Sequence, residues 1–499
     1  MRAKWIWAAA AALALLAAAA SAAEGDATAG AAGALVAEGR RSYDEGDYAR
    51  ALELCERGLA LEPSRADVIN LIGAALLGLG RYDEAAAAFE RSLGLEADAP
   101  VVWRNLALAR YRGGDAEGAL AAVARALALD EGYVEAWFTR GVVLGAAGDY
   151  EGAVAAYDRA LALEPGAADA WTNKGIAFMR LGKNAEAVAA FDRALALEAG
   201  VAAAWNNRGV ALASLGEYEE AAASLERGLA LDERDARAWY NKGKALAALA
   251  RYGEAAESYR RAIELEPAYA GAWSALGGAL LKSEDWAGAA DALAKAVELE
   301  PEDAAAWNNK GRAHAALGEY GVAAECYGRA RELRPDDETI KGNYARILVA
   351  AGDYDRALAL DPGFAGAWAA KAAAHNRAGE YEEAVACYGR ALEFDAELVD
   401  AWNNKGAALA KLERWEEALA CFERAAALKP DSPQAWYNKA NVLVGAGDYE
   451  GALAAYDRAL EVKRDYAAAW RGKGEVLNAL GRAEEALECF DRADELGGE

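Results

Sequence analysis

Tryptophan recurs at an interval of 34 residues: Trp103, Trp137, Trp171, Trp205, Trp239, Trp273 and Trp307, then again Trp368, Trp402, Trp436 and Trp470. A period of that length describes stacked copies of one supersecondary unit, none of which can bury its apolar face alone. A single compact core is excluded, since 499 residues would in any case outgrow one.

Counted from three residues before each Trp place, repeats begin at Ala32, Ala66, Pro100, Val134, Ala168, Ala202, Ala236, Ala270 and Ala304. A short repeat begins at Glu338, and four more begin at Ala365, Val399, Pro433 and Ala467, which makes fourteen. In the repeat from Val134, Trp137 to Leu144 carries apolar residues at helical spacing. Gly148-Asp149-Tyr150 breaks the run, with Asp149 as the N-cap of a second helix. Ala153, Ala156, Tyr157, Ala160 and Leu161 mark one face of that helix, and Glu164-Pro165 ends it. The chain is predicted to be all-α, one helical hairpin per repeat.

Gly141, Gly175, Gly209, Gly243, Gly277, Gly311 and Gly406 sit in the middle of first helices. A glycine there costs about 1 kcal/mol against alanine, so close approach of the partner helix is expected. Ala153, Ala187, Ala221 and their equivalents have the same part early in the second helix, and Tyr157, Phe191 and Tyr259 fill the space between.

Trp, Gly four residues later, Gly-Asp-Tyr, then Ala, an aromatic, Ala and Pro, at period 34, resembles the tetratricopeptide repeat. The resemblance covers about residues 32–499. It implies a right-handed α-solenoid of about 14 helix-turn-helix repeats, with a concave channel lined by each first helix and a role in binding peptides or proteins. One helical place departs from the family pattern: Arg140, Lys174, Arg208, Lys242, Lys310, Lys371, Lys405, Lys439 and Lys473 stand where Leu is usual. Their stems are expected to cover apolar surface while the charge reaches water.

The array has one fault. Trp307 and Trp368 are 61 residues apart, which is 34 plus 27. The short repeat, residues 338–364, has Lys341 at the Trp place and lacks seven residues of its second helix. Seven residues are nearly two helical turns, so Ala357, Leu358 and Leu360 keep their facing. Arg331 replaces a core Leu just before it, and the two together predict weak stacking: a tolerated deletion, or a hinge between repeats 1–9 (32–337) and repeats 11–14 (365–499). In the last repeat Asp494 replaces Leu, giving the polar outer face a terminal repeat needs.

Arg2 and Lys4 precede an apolar run from Trp5 to Ala20, followed by Ala20-Ser21-Ala22. The pattern reads as an export signal over residues 1–23, or an uncleaved N-terminal anchor, with a linker at 24–31. An exported protein is expected, at the cell surface, in the periplasm or outside the cell.

A formal charge of −26 weighs against nucleic acid and anionic lipid as partners. Cys55, Cys326, Cys387, Cys421 and Cys489 fall at two adjacent second-helix places and read as small buried thiols. No Cys-x-x-Cys spacing exists. The two histidines, His314 and His375, lie two layers apart, too far to share a metal, and read as core or groove-wall residues. Carboxylate pairs such as Glu219-Glu220, Glu382-Glu383 and Glu416-Glu417 open second helices, where the helix dipole favours negative charge. No catalytic constellation, cofactor or metal site is expected.

Asn105, Asn173, Asn207, Asn241, Asn309, Asn343, Asn404 and Asn438 all stand two residues after the Trp place. Asn is a poor interior helix former because its side chain competes for the backbone. A carboxamide carries donor and acceptor together, so such a row is able to hold an extended chain by its peptide groups. This is similar to the asparagine ladder of tetratricopeptide superhelices; the alternative is bonding between neighbouring helices of the solenoid. By the family's pattern five further first-helix places line the channel. They carry twelve basic residues (Arg40, Arg104, Arg112, Arg180, Arg237, Lys244, Lys282, Arg312, Arg346, Arg377, Lys411 and Arg471) and six acidic ones (Asp44, Asp67, Glu135, Asp169, Asp400 and Glu475), a balance of +6 (12 − 6). Acidic or neutral extended ligands follow, with Tyr111, Phe138, Met179, Tyr240 and Tyr437 as apolar anchors. The family's carboxylate clamp for C-terminal peptides is not matched.

The expected function is non-enzymatic: an interaction scaffold holding an extended segment of another protein in the channel. The eight asparagines with Arg104, Arg180, Tyr240, Lys244 and Arg312 form the candidate site. The alternatives are a structural or assembly factor for a surface complex, using the convex face or the ends, and more distantly a subunit that tethers an enzyme.

Overall fold

A computed structural model describes residues 30–497, and every regular element in that range is a helix. They pair as α1 (30–44) with α2 (Tyr48–Leu61), α3 (Ala66–Gly78) with α4 (Tyr82–Leu95), and α5 (Pro100–Arg112) with α6 (Ala116–Leu129). Next come α7 (Val134–Ala146) and α8 (Tyr150–Leu163), α9 (Ala168–Arg180) and α10 (Asn184–Leu197), α11 (Ala202–Leu215) and α12 (Tyr218–Leu231), α13 (Ala236–Ala248) and α14 (Tyr252–Leu265). From Ala268 a second unit holds α15 (Ala270–Lys282) and α16 (Trp286–Leu299), α17 (Ala304–Ala316) and α18 (Tyr320–Leu333), α19 (Glu338–Ala350) and α20 (Tyr354–Leu360). It continues with α21 (Ala365–Ala378) and α22 (Tyr381–Phe394), α23 (Val399–Lys411) and α24 (Trp415–Leu428), α25 (Pro433–Gly445) and α26 (Tyr449–Val462), α27 (Ala467–Ala479) and α28 (Ala483–Gly497). The first unit runs to Pro267. The leader expected at 1–23 lies outside the described residues, as does the linker except for positions 30 and 31, which are helical.

The hairpins form where the sequence sets their boundaries. Asp149 accepts from the backbone N–H of Gly152 at 2.8 Å and caps α8, and Asp115, Asp285 and Asp448 repeat the device. Gly148, at φ +85°, takes the left-handed step that turns α7 into α8. The pairs Glu219-Glu220, Glu382-Glu383 and Glu416-Glu417 all lie in first turns of second helices. Within each unit a helix packs on its chain neighbours, and most first helices also meet the first helix of the next repeat. The result is an all-helical repeat solenoid.

The glycine row has a specific cause. A Cβ on Gly141 would lie 2.5 Å from the ring of Tyr157, and one on Gly175 would lie 2.6 Å from the ring of Phe191. What approaches is the large side chain of the second helix. Ala153 and its equivalents are fully buried beside it.

Tryptophan ties each hairpin to the turn before it. The indole N–H of ten tryptophans, Trp137 and Trp368 among them, donates to the carbonyl six residues earlier at 2.8–3.1 Å. The cations at the usual Leu place, Arg208 excepted, lie over these rings, Lys174 at 4.9 Å and Lys310 at 5.0 Å from the centroid. Their charge does not simply reach water. Lys174 meets Asp158 and Arg208 meets Asp192, each at 2.6 Å, and Lys371, Lys439 and Lys473 meet Asp355, Glu423 and Asp457 in the same way. Each pair joins a first helix to the second helix of the preceding repeat. Sequence reading missed the carboxylate sixteen residues upstream, which was the available signal.

The five cysteines are buried and free. Burial pushes every one of their thiols up, Cys55 to about 11. A raised folded value means that the thiol contributes its full stability below the unfolded value, near pH 8.5 to 9, and loses it as pH climbs toward 11. All five should resist iodoacetamide at pH 8 in the folded protein and react completely in denaturant, as read by mass spectrometry. Rapid alkylation of any one without denaturant contradicts the burial.

In the short repeat α20 has 7 residues where a full second helix such as α18 has 14. Ala357 and Leu358 are buried and Leu360 is partly so, keeping the expected facing. The apolar core passes through, because Tyr327, Tyr344, Leu348, Leu358 and Trp368 belong to one cluster. Tyr344 occupies the place that Lys or Arg holds in nine other repeats, and Arg356 lies over its ring. Ile340 packs with Ala330 and Ala304 at the α18–α19 contact, while the buried Nε of Arg331 beside it finds no hydrogen-bond partner among the described residues. At the far end Asp494 pairs with Arg471 at 2.9 Å, while Leu487 is 61% exposed.

Candidate binding face on the first helices

First helices of successive repeats, such as α5 and α7 or α15 and α17, come within 8 Å of each other between Cα atoms. Second helices of successive repeats make no comparable approach among the described residues. A stack that is tighter on one side curves toward that side, so within each unit the first helices line the inner face.

Between adjacent first helices that face carries recurring notches. One of about 410 Å³ lies between α7 and α9, with Tyr157 of α8 as floor and Asn173 and Arg180 on its wall. A second, about 330 Å³, lies between α11 and α13, with Leu225 below and Asn241 and Lys244 beside it. A third, also about 330 Å³, lies between α23 and α25 above Phe422, with Asn438 and Lys411 at its edge. Each joins an apolar floor, an amide and a cation. Burial pushes the hydroxyls of Tyr157 and Tyr259 well above the usual tyrosine value, so they stay protonated.

The asparagines divide by partner. Asn105 donates to Asn70 at 3.3 Å and accepts from Arg104. Asn343 donates to Asn308 at 3.0 Å and accepts from Arg346 at 2.7 Å. These two therefore bond neighbouring repeats. Asn173 donates to the carbonyl of Asp169 in its own helix, Asn309 accepts from Arg312, Asn438 accepts from Gln434, and Asn404 lies against the hydroxyl of Tyr388. Asn207 and Asn241 are partly exposed and make no hydrogen bond within the described chain. Asn70 and Asn308, one residue after the Trp place, went unnoticed in the sequence.

Of the remaining site residues, Arg104 also donates to Thr139 at 3.3 Å. Tyr240 packs on Tyr259 with ring centroids 5.8 Å apart, and Lys244 lies 5.7 Å from the Tyr240 centroid, which brings Tyr240, Asn241 and Lys244 together on α13. Arg180 and Arg312 are exposed. Asn105, Asn173, Asn207 and Asn241 belong to the first unit and Asn309, Asn343, Asn404 and Asn438 to the second, each on a different first helix. His314 and His375 each place Nδ1 2.6 Å from a glutamate five residues on, Glu319 and Glu380. Among the described residues no group of His, Cys, Asp and Glu converges as a metal site, and no helix is long and apolar enough to cross a membrane.

Comparison with known proteins gives the following. A model described as tetratricopeptide repeat matches residues 104–168, 138–200, 172–232, 214–272, 274–338, 311–362, 403–461 and 437–498. A TPR repeat model matches 374–413 and another tetratricopeptide repeat model matches 42–110. No curated protein matches the chain. Among solved structures, YrrB, described as a TPR protein with an unusual peptide-binding site, is 25% identical over 37% of this chain and 95% of its own, with TM-score 0.34. MamA from Desulfovibrio magneticus RS-1 is 27% identical over 34% of this chain and 97% of its own, with TM-score 0.33. The APC/C hetero-tetramer Cut9–Hcn1 is 15% identical over 89% of this chain and 96% of its own, with TM-score 0.36.

Proposed function

The chain belongs to the tetratricopeptide repeat family of interaction scaffolds, and on that premise we propose that the inner face of its first helices holds an extended segment of another protein. Binding rather than turnover is the mechanism. The observation that carries this reading is the pair Asn207 and Asn241. Both amides stand in the interiors of first helices, where asparagine is disfavoured; neither bonds within the described chain, and Asn241 edges the notch above Leu225. An amide able to donate and accept matches a peptide group, and the adjoining notch above Leu225 takes an apolar side chain. The proposed setting is outside the cytoplasm, supported by the charged and apolar start of the sequence.

The test is the triple variant Asn207→Ala, Asn241→Ala, Asn309→Ala. Each lost hydrogen bond is worth about 1 kcal/mol, so together they should weaken capture of a neutral extended peptide by roughly a hundredfold. Alanine favours the helix, so thermal stability should hold or rise. Unchanged peptide affinity with the fold intact refutes the reading.

A further inference from the structure

The cations of the inner face are not distributed like the other cations of the molecule. The lysines lying over tryptophans mostly pair with carboxylates. In the second unit five successive first helices each carry an exposed cation with no carboxylate within 4.0 Å among the described residues: Lys282 on α15, Arg312 on α17, Arg346 on α19, Arg377 on α21 and Lys411 on α23. Arg312 and Arg346 are held by neutral acceptors instead. Arg312 donates to Asn309 at 3.3 Å and Arg346 to Asn343 at 2.7 Å. An amide oxygen fixes the guanidinium without neutralising it and leaves most of its five donors free. The acidic groups nearby are engaged elsewhere. Glu319 and Glu380 face the histidines, and Asp303 and Asp337 cap α17 and α19. Asp400, in the first turn of α23, is the acid of the channel set on these helices.

Helix C-termini favour cations, and this accounts for Lys282, Arg377 and Lys411, which close their helices. It does not account for Arg312 and Arg346, which lie mid-helix on adjacent repeats. An unbroken run of five unneutralised cations in a chain of net charge −26 calls for an anion. Packed helices lie about 8–10 Å apart, and an extended chain rises about 3.3 Å per residue. One repeat thus corresponds to about three ligand residues, and a polyproline II segment returns the same face every third residue.

We propose that the first-helix face of the second unit is a docking strip for an acidic extended peptide with a carboxylate at about every third position. The strip rests on the reading of the inner face given above and adds to it a charge, a register and a place. Five seats at that spacing span about 13 ligand residues (four intervals of three, plus one).

The test uses the full chain and synthetic 13-residue peptides followed by fluorescence anisotropy. One peptide has Glu at every third position, one has the same composition with Glu clustered, one has Gln for every Glu, and a single-stranded oligonucleotide stands for a polyanion of another class. The spaced acidic peptide should bind most tightly and weaken as salt is raised. The double variant Arg312→Gln, Arg346→Gln should lose on the order of tenfold or more in its affinity with an unchanged far-UV spectrum. Lys282→Gln with Lys411→Gln serves as a second, independent variant. Equal binding of the Gln peptide, no effect of either variant, or stronger binding of the oligonucleotide overturns the strip. Capture that survives both cation variants but fails in the asparagine triple removes the strip and leaves the groove reading standing. Absence of binding by every peptide removes both.

Discussion

Replacing Phe191 by Ala is expected to destabilise the repeats around it by about 3–5 kcal/mol, the cost of removing a fully buried aromatic ring from a core that cannot collapse into the space. Phe191 is 0% exposed and lies in a cluster with Ala187, Ala194, Leu195, Ala204 and Ala211, flanked by Trp171 and Trp205. Its ring presses on Gly175 so closely that no Cβ fits there. The consequence should stay local. A helix here touches only its neighbours along the stack, and stability in such an array is close to a sum of repeat and interface terms. Hydrogen exchange should therefore quicken in α9 to α11 and remain unchanged in α3 and α4. A urea transition moved by less than about 1 kcal/mol would mean that the aromatic row is not the main support of the hairpin.

Exchange in α20 is expected to be faster than in α18 or α22 by roughly a hundredfold or more. A full second helix such as α8 buries Ala153, Ala156, Tyr157, Ala160 and Leu161, whereas α20 buries only Ala357 and Leu358. One aromatic and two alanine methyls are missing, worth about 4 kcal/mol at ordinary transfer values, and the partial burial of Leu360 and Phe364 returns some of this. Since each 1.4 kcal/mol is tenfold, a residual deficit near 3 kcal/mol gives the stated factor. The same measurement decides whether residues 338–364 act as a hinge. Protection equal to that of α18 and α22 would leave the short repeat as a tolerated deletion.

The helical hairpins were readable because the boundaries of a repeat such as the one from Val134 have a local chemical cause: Asp149 at a cap, Gly148 at a left-handed turn, Pro165 beyond a helix end. The roles of side chains between repeats were readable only in part. Lys174 was legible as an amphipathic stem, but not as the partner of Asp158, because that contact depends on how α9 lies against α8. Arg331 was legible as a departure from the core Leu, but not the packing of Ile340 on Ala330 and Ala304 beside it. The asparagine row was legible as a row and misleading as a uniform one. Asn105 and Asn343 bond the preceding repeat, while Asn207 and Asn241 make no hydrogen bond among the described residues. Nothing in the eight positions themselves separates the two groups.

The 34-residue period by itself determined that this protein is a stack of helical hairpins, because caps, turns and apolar faces act over a few residues and carry their meaning locally. Only the tertiary structure decided which charges and amides are used up in holding the stack together and which are left facing the inner side. That difference depends on distances between helices some 16 to 35 residues apart in sequence, and a hydrogen bond or ion pair exists or not within a few tenths of an ångström.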